Sequence, residues 1–134
     1  MRLYPPAWVL DRVALADDRI KNVSIQKGDI LAMYVYGTHR TPILWEDPEI
    51  FDPERFGSER SKEFHSYAYY PFGGGPRQCI GNHFAMLEMQ MAIGELLHHF
   101  DITLDESVEV IEHPLLTLRP KNGIKMFFTE RNQG

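Results

Sequence analysis

The chain has one cysteine among its 134 residues, which excludes an internal disulfide and fits a reducing compartment, so a cytoplasmic location is favoured. It has no apolar run of membrane-spanning length and no internal repeat or low-complexity tract. Its formal net charge of -5 argues against a general surface for nucleic acid or anionic lipid, which would need an excess of positive charge. The 43% of hydrophobic residues is ordinary for a packed globular protein, so we expect a folded domain.

The single cysteine, Cys79, follows a run of glycines and precedes an apolar helical pattern. Gly73–Gly75 and Pro76 predict an irregular loop, because these residues neither start a helix nor extend a strand. The residues from Asn82 to about Phe100 predict a long, mostly buried helix. Cys79 then lies just before a helix N-terminus, where free N–H groups and the helix dipole favour a thiolate. With a cation two residues earlier at Arg77, this pattern is typical of a metal-binding thiolate.

Other interpretations of this loop and of the histidines are weaker. An isolated cysteine is usually a small core residue, and a glycine-rich loop before a helix can hold a phosphate. However, the dinucleotide fingerprint G-x-G-x-x-G and the Gly-Lys-Ser/Thr of a P-loop are both missing from this stretch. His98 and His99 are adjacent, so on a helix they point roughly 100° apart and do not chelate one metal. The remaining histidines lack zinc-ligand spacing.

The loop also resembles the haem-binding signature of the cytochrome P450 family: Phe, two residues, Gly, one residue, Arg, one residue, Cys, one residue, Gly. Phe72, Gly75, Arg77, Cys79 and Gly81 occupy the five positions. The resemblance implies that Cys79 is the thiolate ligand of a haem b iron and that loop amides donate to its sulfur. It further implies that Phe72 packs beside the thiolate and that Arg77 binds a propionate. An aromatic residue at position 72 is equally plausible as ordinary core.

Two further segments resemble motifs of the same family. Arg2 matches the arginine of the Glu-x-x-Arg motif, whose glutamate would lie two residues before Met1. Arg55, in Pro53–Phe56, matches the Pro-Glu-Arg-Phe motif and is implied to pair with the Glu-x-x-Arg residues; taken alone, it would read as a solvated surface charge. Arg12 matches a second propionate-binding position of the family. The alternative interpretation of Arg12 is an exposed arginine on a strand.

The order of the predicted elements resembles that of the C-terminal third of the P450 fold. We therefore expect a mainly α protein with small β-sheets (α+β), in which residues 1–134 form a C-terminal fragment of one P450 domain. On this interpretation the N-terminal part of the domain is missing, and Met1 is an internal methionine or a mistaken start. Before the cysteine loop we expect an extended segment Ala7–Leu15, then strands Val23–Ile25 and Ile30–Tyr36 joined by a hairpin turn Gln26–Asp29. A short helix at Trp45–Pro48 and a meander over 49–60 follow these strands. After the cysteine loop and the long helix we expect an extended segment Glu109–Leu118, a turn at 121–123 and a strand Ile124–Phe128 that pairs back in a closing hairpin.

The resemblance implies a haem-thiolate monooxygenase that inserts one oxygen atom of O2 into a hydrophobic organic substrate. Electrons would come from a ferredoxin or a flavin reductase, and no nucleic acid is involved. Ala7, Val9 and Leu116 would face the substrate, although such apolar residues can equally be core. The fragment would hold no catalytic residue beyond the haem ligand and would be inactive alone, because the family's oxygen-activating acid–alcohol helix lies upstream, as would any membrane anchor.

Three alternatives remain open at this point. One is a P450-type enzyme that uses peroxide and needs no redox partner. Another is a non-catalytic, truncated haem-binding fragment. The third is a globular domain without a cofactor.

Overall fold

Two-stranded antiparallel sheets and one long helix form the regular structure of residues 1–57 and 59–131, which the computed structural model describes. The chain divides into two units, Met1–Gly74 and Gly75–Gly134. Helices of every kind account for only 25% of the chain, so the expected mainly α composition is wrong, while the small sheets and the long helix are confirmed. The 9 prolines and 10 glycines explain the difference, because both residue types interrupt helices.

The first sheet of the first unit joins two strands that are distant in sequence. Strand β1, Leu10–Val13, pairs antiparallel with strand β4, Ile30–Met33, and places Arg12 opposite Leu31. The extended conformation predicted for Ala7–Leu15 is therefore confirmed over the residues of β1. Side chains along β1 alternate between exposed and half-buried, as expected for a strand with one covered face.

The loop Gln26–Asp29 forms a turn, but the prediction that it joins two paired strands is wrong. Strand β3, Val23–Ile25, pairs instead with strand β2, Asp18–Ile20, across a two-residue turn. Lys21 in that turn has φ 53°, a conformation rare for a lysine, so composition gave little sign of the hairpin. Gly28 has φ 94°, which suits glycine and lets the later loop close on itself.

Helix α1, Val35–Thr38, is a single turn that follows directly on strand β4. The strand predicted over Ile30–Tyr36 consequently ends at Met33. Glycine fits position 37 in this turn, because a Cβ there would clash with the Tyr34 ring. The run of strand-forming residues over 30–36 gives no sign of this helical turn.

The meander predicted over residues 49–60 contains two short 3-10 helices, Pro53–Phe56 and Arg60–Glu63. Asp52 caps the first one, since its side chain accepts a backbone N–H of that turn at 3.0 Å. Ser58, which the same prediction includes, lies outside the described residues.

The short helix predicted at Trp45–Pro48 is wrong, because this segment is a series of turns. Asp47 has φ 43°, which no right-handed helix accommodates. The backbone carbonyls of residues 46 to 48 accept hydrogen bonds from buried arginine side chains instead of from helical N–H groups. Arg55 donates to the first two, and Arg2 donates to the third.

The core of the first unit is small and aromatic. Trp45 lies at the centre of this core and is 1% exposed. It contacts three aromatic side chains: Phe56, Phe64 and Tyr69. Three polar residues are buried with it, namely Arg2, His39 and Arg55. Buried charges require compensation by hydrogen bonds or opposite charge, so this core constrains the surrounding backbone strongly.

The second unit contains the long helix and two sheets. Helix α2 spans Asn82–His99, which confirms the predicted helix almost to the residue. The chain then continues directly into strand β5, Phe100–Leu104, which pairs antiparallel with strand β8, Met126–Glu130. The sequence pattern did not separate β5 from the end of the helix, because no glycine or proline lies between them.

The closing hairpin differs from the prediction. The segment Glu109–Leu118 is not one extended stretch, since it contains strand β6, Glu112–Pro114, and the turn after it. Strand β6 pairs with strand β7, Leu118–Pro120, and the strand predicted over Ile124–Phe128 pairs with β5 rather than folding back on this region. The Leu115 N–H donates to the Thr117 carbonyl at 3.3 Å, which makes a tight turn directly after Pro114.

The expectation that the long helix is mostly buried is also wrong for this chain. No residue of α2 is buried, and its large apolar side chains are exposed: Phe84, Met86, Leu87, Met91, Ile93, Leu96 and Leu97. Among the described residues of the second unit none is buried, so the unit provides no second layer over the helix. Within residues 1–57 and 59–131, no helix combines the length and apolarity needed to cross a bilayer.

Replacing Trp45 by Ala should lower the free energy of unfolding of the first unit by about 3–5 kcal/mol, because the substitution empties the centre of its core. Urea unfolding followed by circular dichroism measures this change. Leu15→Ala is the matched control, since Leu15 is 88% exposed and its truncation should change the free energy by less than about 0.5 kcal/mol. Equal effects of the two substitutions would contradict the assignment of this core.

Candidate functional site

The loop around Cys79 belongs to the second unit and leads into helix α2. A 3-10 turn, Gly75–Arg77, opens the loop and is closed by a hydrogen bond from the Gln78 N–H to the Gly75 carbonyl at 3.1 Å. Gly75 has φ 69°, so glycine is favoured there. Gly81 is the N-cap of α2, and a Cβ at this position would lie 3.9 Å from the Cys79 sulfur, an ordinary contact. Sterics within the chain therefore explain the glycine at 75 and not the glycine at 81.

The Cys79 side chain is a free, exposed thiol just before the N-terminus of an 18-residue helix. The first N–H groups of such a helix lack intrahelical partners and stabilise a nearby thiolate. The next residue, Ile80, is fully exposed, which gives the loop an apolar edge. The loop thus offers one accessible sulfur ligand beside an apolar surface.

The described part of the chain contains no second metal centre of protein ligands. Across residues 1–57 and 59–131, no group of three or more His, Cys, Asp or Glu side chains could hold a metal ion. A site with one thiolate ligand suits a metal whose other ligands come with a cofactor, as in a haem. The donor set of this chain therefore fits an iron porphyrin and does not fit a zinc site with four protein ligands.

The segment that precedes the loop lies in the first unit and has its own constraints. Gly73 has φ 74°, and its N–H donates to the Tyr70 carbonyl at 2.9 Å. A Cβ at Gly74 would lie 2.7 Å from Cε1 of Tyr67, so the Tyr67 ring covers the backbone at this point. Phe72, which lies in this turn between Tyr70 and Gly73, is half-buried. Glycine is thus required at two of the three loop positions before Pro76 by conformation and at Gly74 by close packing.

A cavity of about 380 Å³ in the first unit is bounded by Arg12. Its other lining residues are Leu10, Met33, Thr38, Tyr67, Tyr70, Gly73 and Gly74. Arg12 is half-buried, and its guanidinium donates to the Asp11 carbonyl at 2.7 Å. The side chain therefore presents a cation to a cavity whose walls are largely aromatic and apolar.

Arg2 is 5% exposed and is held by three backbone carbonyls. Its guanidinium donates to the carbonyls of His39 at 2.8 Å, Pro48 at 2.6 Å and Ile50 at 2.9 Å. Its Cζ also lies 5.1 Å from the centroid of the Trp45 ring, a cation–π contact. Desolvation, followed by the charges of the neighbouring arginines, lowers the pKa of Arg2 from its ordinary value.

Arg55 is 4% exposed, which excludes the alternative of a solvated surface charge. It donates to the Glu46 carbonyl at 2.9 Å and to the Ile50 carbonyl at 3.4 Å, so Arg55 and Arg2 share one acceptor. Asp52 also approaches this guanidinium, with its Oδ2 3.9 Å from Arg55 Nε. Two sequence-predicted residues, distant along the chain, are therefore brought together in one cationic cluster.

The remaining predicted residues have less informative surroundings. Arg77 is exposed, and its backbone belongs to the turn that opens the cysteine loop. Ala7 and Val9 are half-buried in the first unit, whereas Leu116 in the second unit is 97% exposed. None of these positions has a contact that identifies a substrate, so their assignment stays a prediction.

The sequence did not predict the burial of one polar residue, His39. The spacing of the histidines had excluded only a role for it as a zinc ligand. Its side chain is fully buried, and Nε2 accepts the Tyr70 N–H at 3.0 Å. Desolvation, with the nearby charges of Arg2 and Arg40, lowers the pKa of His39 to about 4. His39 directly follows the last residue of α1 and precedes Arg40, and neither neighbour indicates a buried side chain.

Comparison with known proteins gives a consistent result. The family model described as Cytochrome P450 matches residues 1–128. The chain is 40% identical over 131 residues to cytochrome P450 4B1 and 43% identical over 110 residues to cytochrome P450 3A18, both of Rattus norvegicus. These matches cover 94% and 82% of the chain but 25% and 22% of the relatives, so the chain spans about a quarter of their length.

Solved structures resemble the chain over nearly all its residues. The structure titled retinoic acid bound cyanobacterial CYP120A1 is 34% identical with a TM-score of 0.90, and the match covers 97% of this chain and 30% of that one. The cytochrome P450DA heme domain is 31% identical with a TM-score of 0.91, and the match covers 98% and 29% of the two chains.

The buried state of His39 predicts a pH dependence of stability. The folded-state pKa of about 4 lies below the ordinary value of 6.5, so the unfolded chain binds more protons between these pH values. The free energy of unfolding should therefore be highest above pH 6.5 and should fall by up to about 3 kcal/mol as the pH decreases to 4.

Urea unfolding followed by tryptophan fluorescence reports on this change, because Trp8 and Trp45 both lie in the first unit. His39→Gln should remove most of the pH dependence in this range, and the exposed His83→Gln should leave it unchanged. An unaltered dependence in His39→Gln would show that another group titrates.

Proposed function

The chain belongs to the cytochrome P450 family, and on this basis we propose that residues 1–134 are the C-terminal, haem-ligand part of a single haem-thiolate monooxygenase domain. The observation that carries this proposal is the exposed Cys79 thiol at the end of a glycine loop and the start of an 18-residue helix. The full-length protein would insert one oxygen atom of O2 into a hydrophobic organic substrate. A ferredoxin or a flavin reductase would supply the electrons.

In this proposal Cys79 binds the haem iron as a thiolate. Backbone N–H groups at the start of α2 stabilise the negative sulfur. A haem bound in this way would provide the chemistry of O–O cleavage, which the electron density donated by a thiolate ligand such as Cys79 would favour. The family resemblance supports a role for Phe72, half-buried before the loop, in keeping water from the sulfur.

Two arginines are proposed to hold the haem propionates. Arg77 is exposed beside the cysteine loop, and Arg12 presents its guanidinium to a cavity of the first unit. Charge-assisted hydrogen bonds from guanidinium to carboxylate are strong and geometrically specific, which suits a cofactor with two carboxylates.

The cationic cluster of Arg2 and Arg55 supports the proposal that the chain is part of a larger domain. The acceptors that contact Arg2 within the described residues are carbonyl oxygens, and Asp52 lies too far from Arg55 Nε for a hydrogen bond. Two buried guanidinium groups without a buried carboxylate are costly. We infer that a glutamate from the segment before Met1 completes this cluster.

The substrate-facing role of Ala7, Val9 and Leu116 rests on the family resemblance and on their apolar character. The oxygen-activating residues are proposed to lie outside the chain, so these 134 residues should not turn over substrate alone. The exposed apolar side chains of α2 support this view, because a folded domain does not leave such a helix uncovered.

The ligand assignment predicts the outcome of replacing Cys79 in the full-length protein. Cys79→Ser should abolish the thiolate-type Soret band of the ferrous carbon monoxide complex, because a serine oxygen does not replace a thiolate ligand. Gln78→Ala is the matched control in the same loop and should preserve this band. A thiolate-type spectrum in Cys79→Ser would reject the assignment, and a wild-type protein that takes up no haem would reject the proposed function.

The propionate assignment predicts weaker haem retention in Arg77→Leu. Loss of one charge-assisted hydrogen bond should raise the haem dissociation rate by roughly tenfold, as measured by transfer to an excess of an apo-globin acceptor. Arg77→Lys should recover part of the loss because the charge remains. Arg119→Leu removes an exposed arginine of strand β7 and should retain haem as the wild type does; an equal loss there would contradict a specific role for Arg77.

A further inference from the structure

Tyr70, nine positions before Cys79, is held at two points by two consecutive residues. Its backbone N–H donates to Nε2 of His39 at 3.0 Å, and its hydroxyl hydrogen bonds to Oγ1 of Thr38 at 3.0 Å. The Tyr70 carbonyl accepts the Gly73 N–H at 2.9 Å. Tyr70 is therefore the first residue of the turn Tyr70–Gly73, which leads into the glycines. It also hydrogen bonds to two side chains at the end of α1.

His39 also connects this segment to the cationic cluster. Its own carbonyl accepts a hydrogen bond from Arg2 at 2.8 Å, and its N–H donates to the Val35 carbonyl at 2.9 Å. The imidazole ring packs against Tyr69, with the ring centroids 5.2 Å apart, and edge-on against Tyr70 at 5.4 Å. A single buried residue thus contacts Arg2 through its backbone and the arm of the loop through its side chain.

The hydrogen bond from Tyr70 determines the protonation state of the ring. Because a backbone N–H only donates, Nε2 of His39 must be unprotonated, and the neutral ring carries its proton on Nδ1. Nδ1 is buried and has no hydrogen-bond partner among residues 1–57 and 59–131. An imidazolium would place an N–H against the Tyr70 N–H and a positive charge beside Arg2, so the neutral Nδ1–H form is the one that fits.

We propose that His39 is a positioning residue for the haem-ligand loop. In its neutral Nδ1–H form it accepts the Tyr70 N–H and so fixes the point from which the chain departs towards Pro71 and the glycines. Thr38 restrains the same tyrosine through its hydroxyl. The inference deepens the proposed function and rests on it, and His39 itself contacts neither substrate nor iron in this scheme.

Two substitutions of His39 separate the hydrogen bond from the packing of the ring. His39→Phe keeps an aromatic side chain against Tyr69 and removes the acceptor. His39→Gln places an amide oxygen near the position of Nε2 and restores the acceptor without the ring. Both are made in the full-length, haem-loaded protein that contains these residues.

The two readouts are hydrogen exchange at the Tyr70 amide and the thiolate-ligated fraction of the ferrous carbon monoxide complex. His39→Phe should accelerate exchange at Tyr70 by roughly threefold to tenfold, as expected for one lost hydrogen bond, and should lower the thiolate-ligated fraction. His39→Gln should lie close to the wild type in both. Wild-type exchange at Tyr70 in His39→Phe, or equal losses in the two variants, would overturn the proposal.

A measurement on the wild type covers the case in which His39→Phe does not fold. Nitrogen-15 resonances of selectively labelled histidine in the diamagnetic ferrous carbon monoxide complex distinguish the two tautomers. We expect a protonated Nδ1 and an unprotonated Nε2 for His39, and a protonated Nε2 would overturn the proposal.

The failure of this inference is distinct from the failure of the proposed function. Cys79→Ser should abolish the thiolate-type band and leave exchange at the Tyr70 amide unchanged. A wild-type protein without a thiolate-type band would reject the proposed function, whereas the exchange rates in the His39 variants of that same protein would still decide whether His39 holds Tyr70.

Discussion

The buried guanidinium of Arg2 determines the conformation of much of the first unit. It draws in the carbonyls of His39, Pro48 and Ile50, and a carbonyl that points at a guanidinium is unavailable to a helix. The segment after Trp45 is therefore a series of turns around the arginine. Arg55 reinforces this arrangement through the shared Ile50 carbonyl. Because carbonyl dipoles compensate the two charges only in part, we propose that an acidic partner completes the cluster.

The same interaction reaches the arm of the cysteine loop through His39. The backbone of this residue accepts from Arg2, while its ring accepts from Tyr70, where the turn into the glycines begins. Arg2 and His39 are buried, and Tyr70 is half-buried. Tyr70, at the start of the turn into the glycines, is thus held by side chains of the first unit, whereas Cys79 and α2 belong to the second unit.

The sequence predicted those features that depend on local chemistry. Glycine and proline before Cys79 specify a loop, and the apolar period after Asn82 specifies α2, so both were found. Strand pairing depends on distant partners, and for this reason the β5–β8 pair was missed. The helix predicted at Trp45–Pro48 failed because buried arginines take its carbonyls. The role of His39 was hidden, since histidine spacing reports on metal chelation and not on a hydrogen bond to a remote backbone amide.

We propose that these residues complete a haem-thiolate domain whose other part includes an acid for the Arg2 cluster. Sequencing the gene and its transcript upstream of the Met1 codon tests this proposal. We expect an open reading frame with a glutamate codon two positions before Met1 and an acid–alcohol helix further upstream. An in-frame stop codon immediately before Met1, in a transcript that begins there, would contradict it.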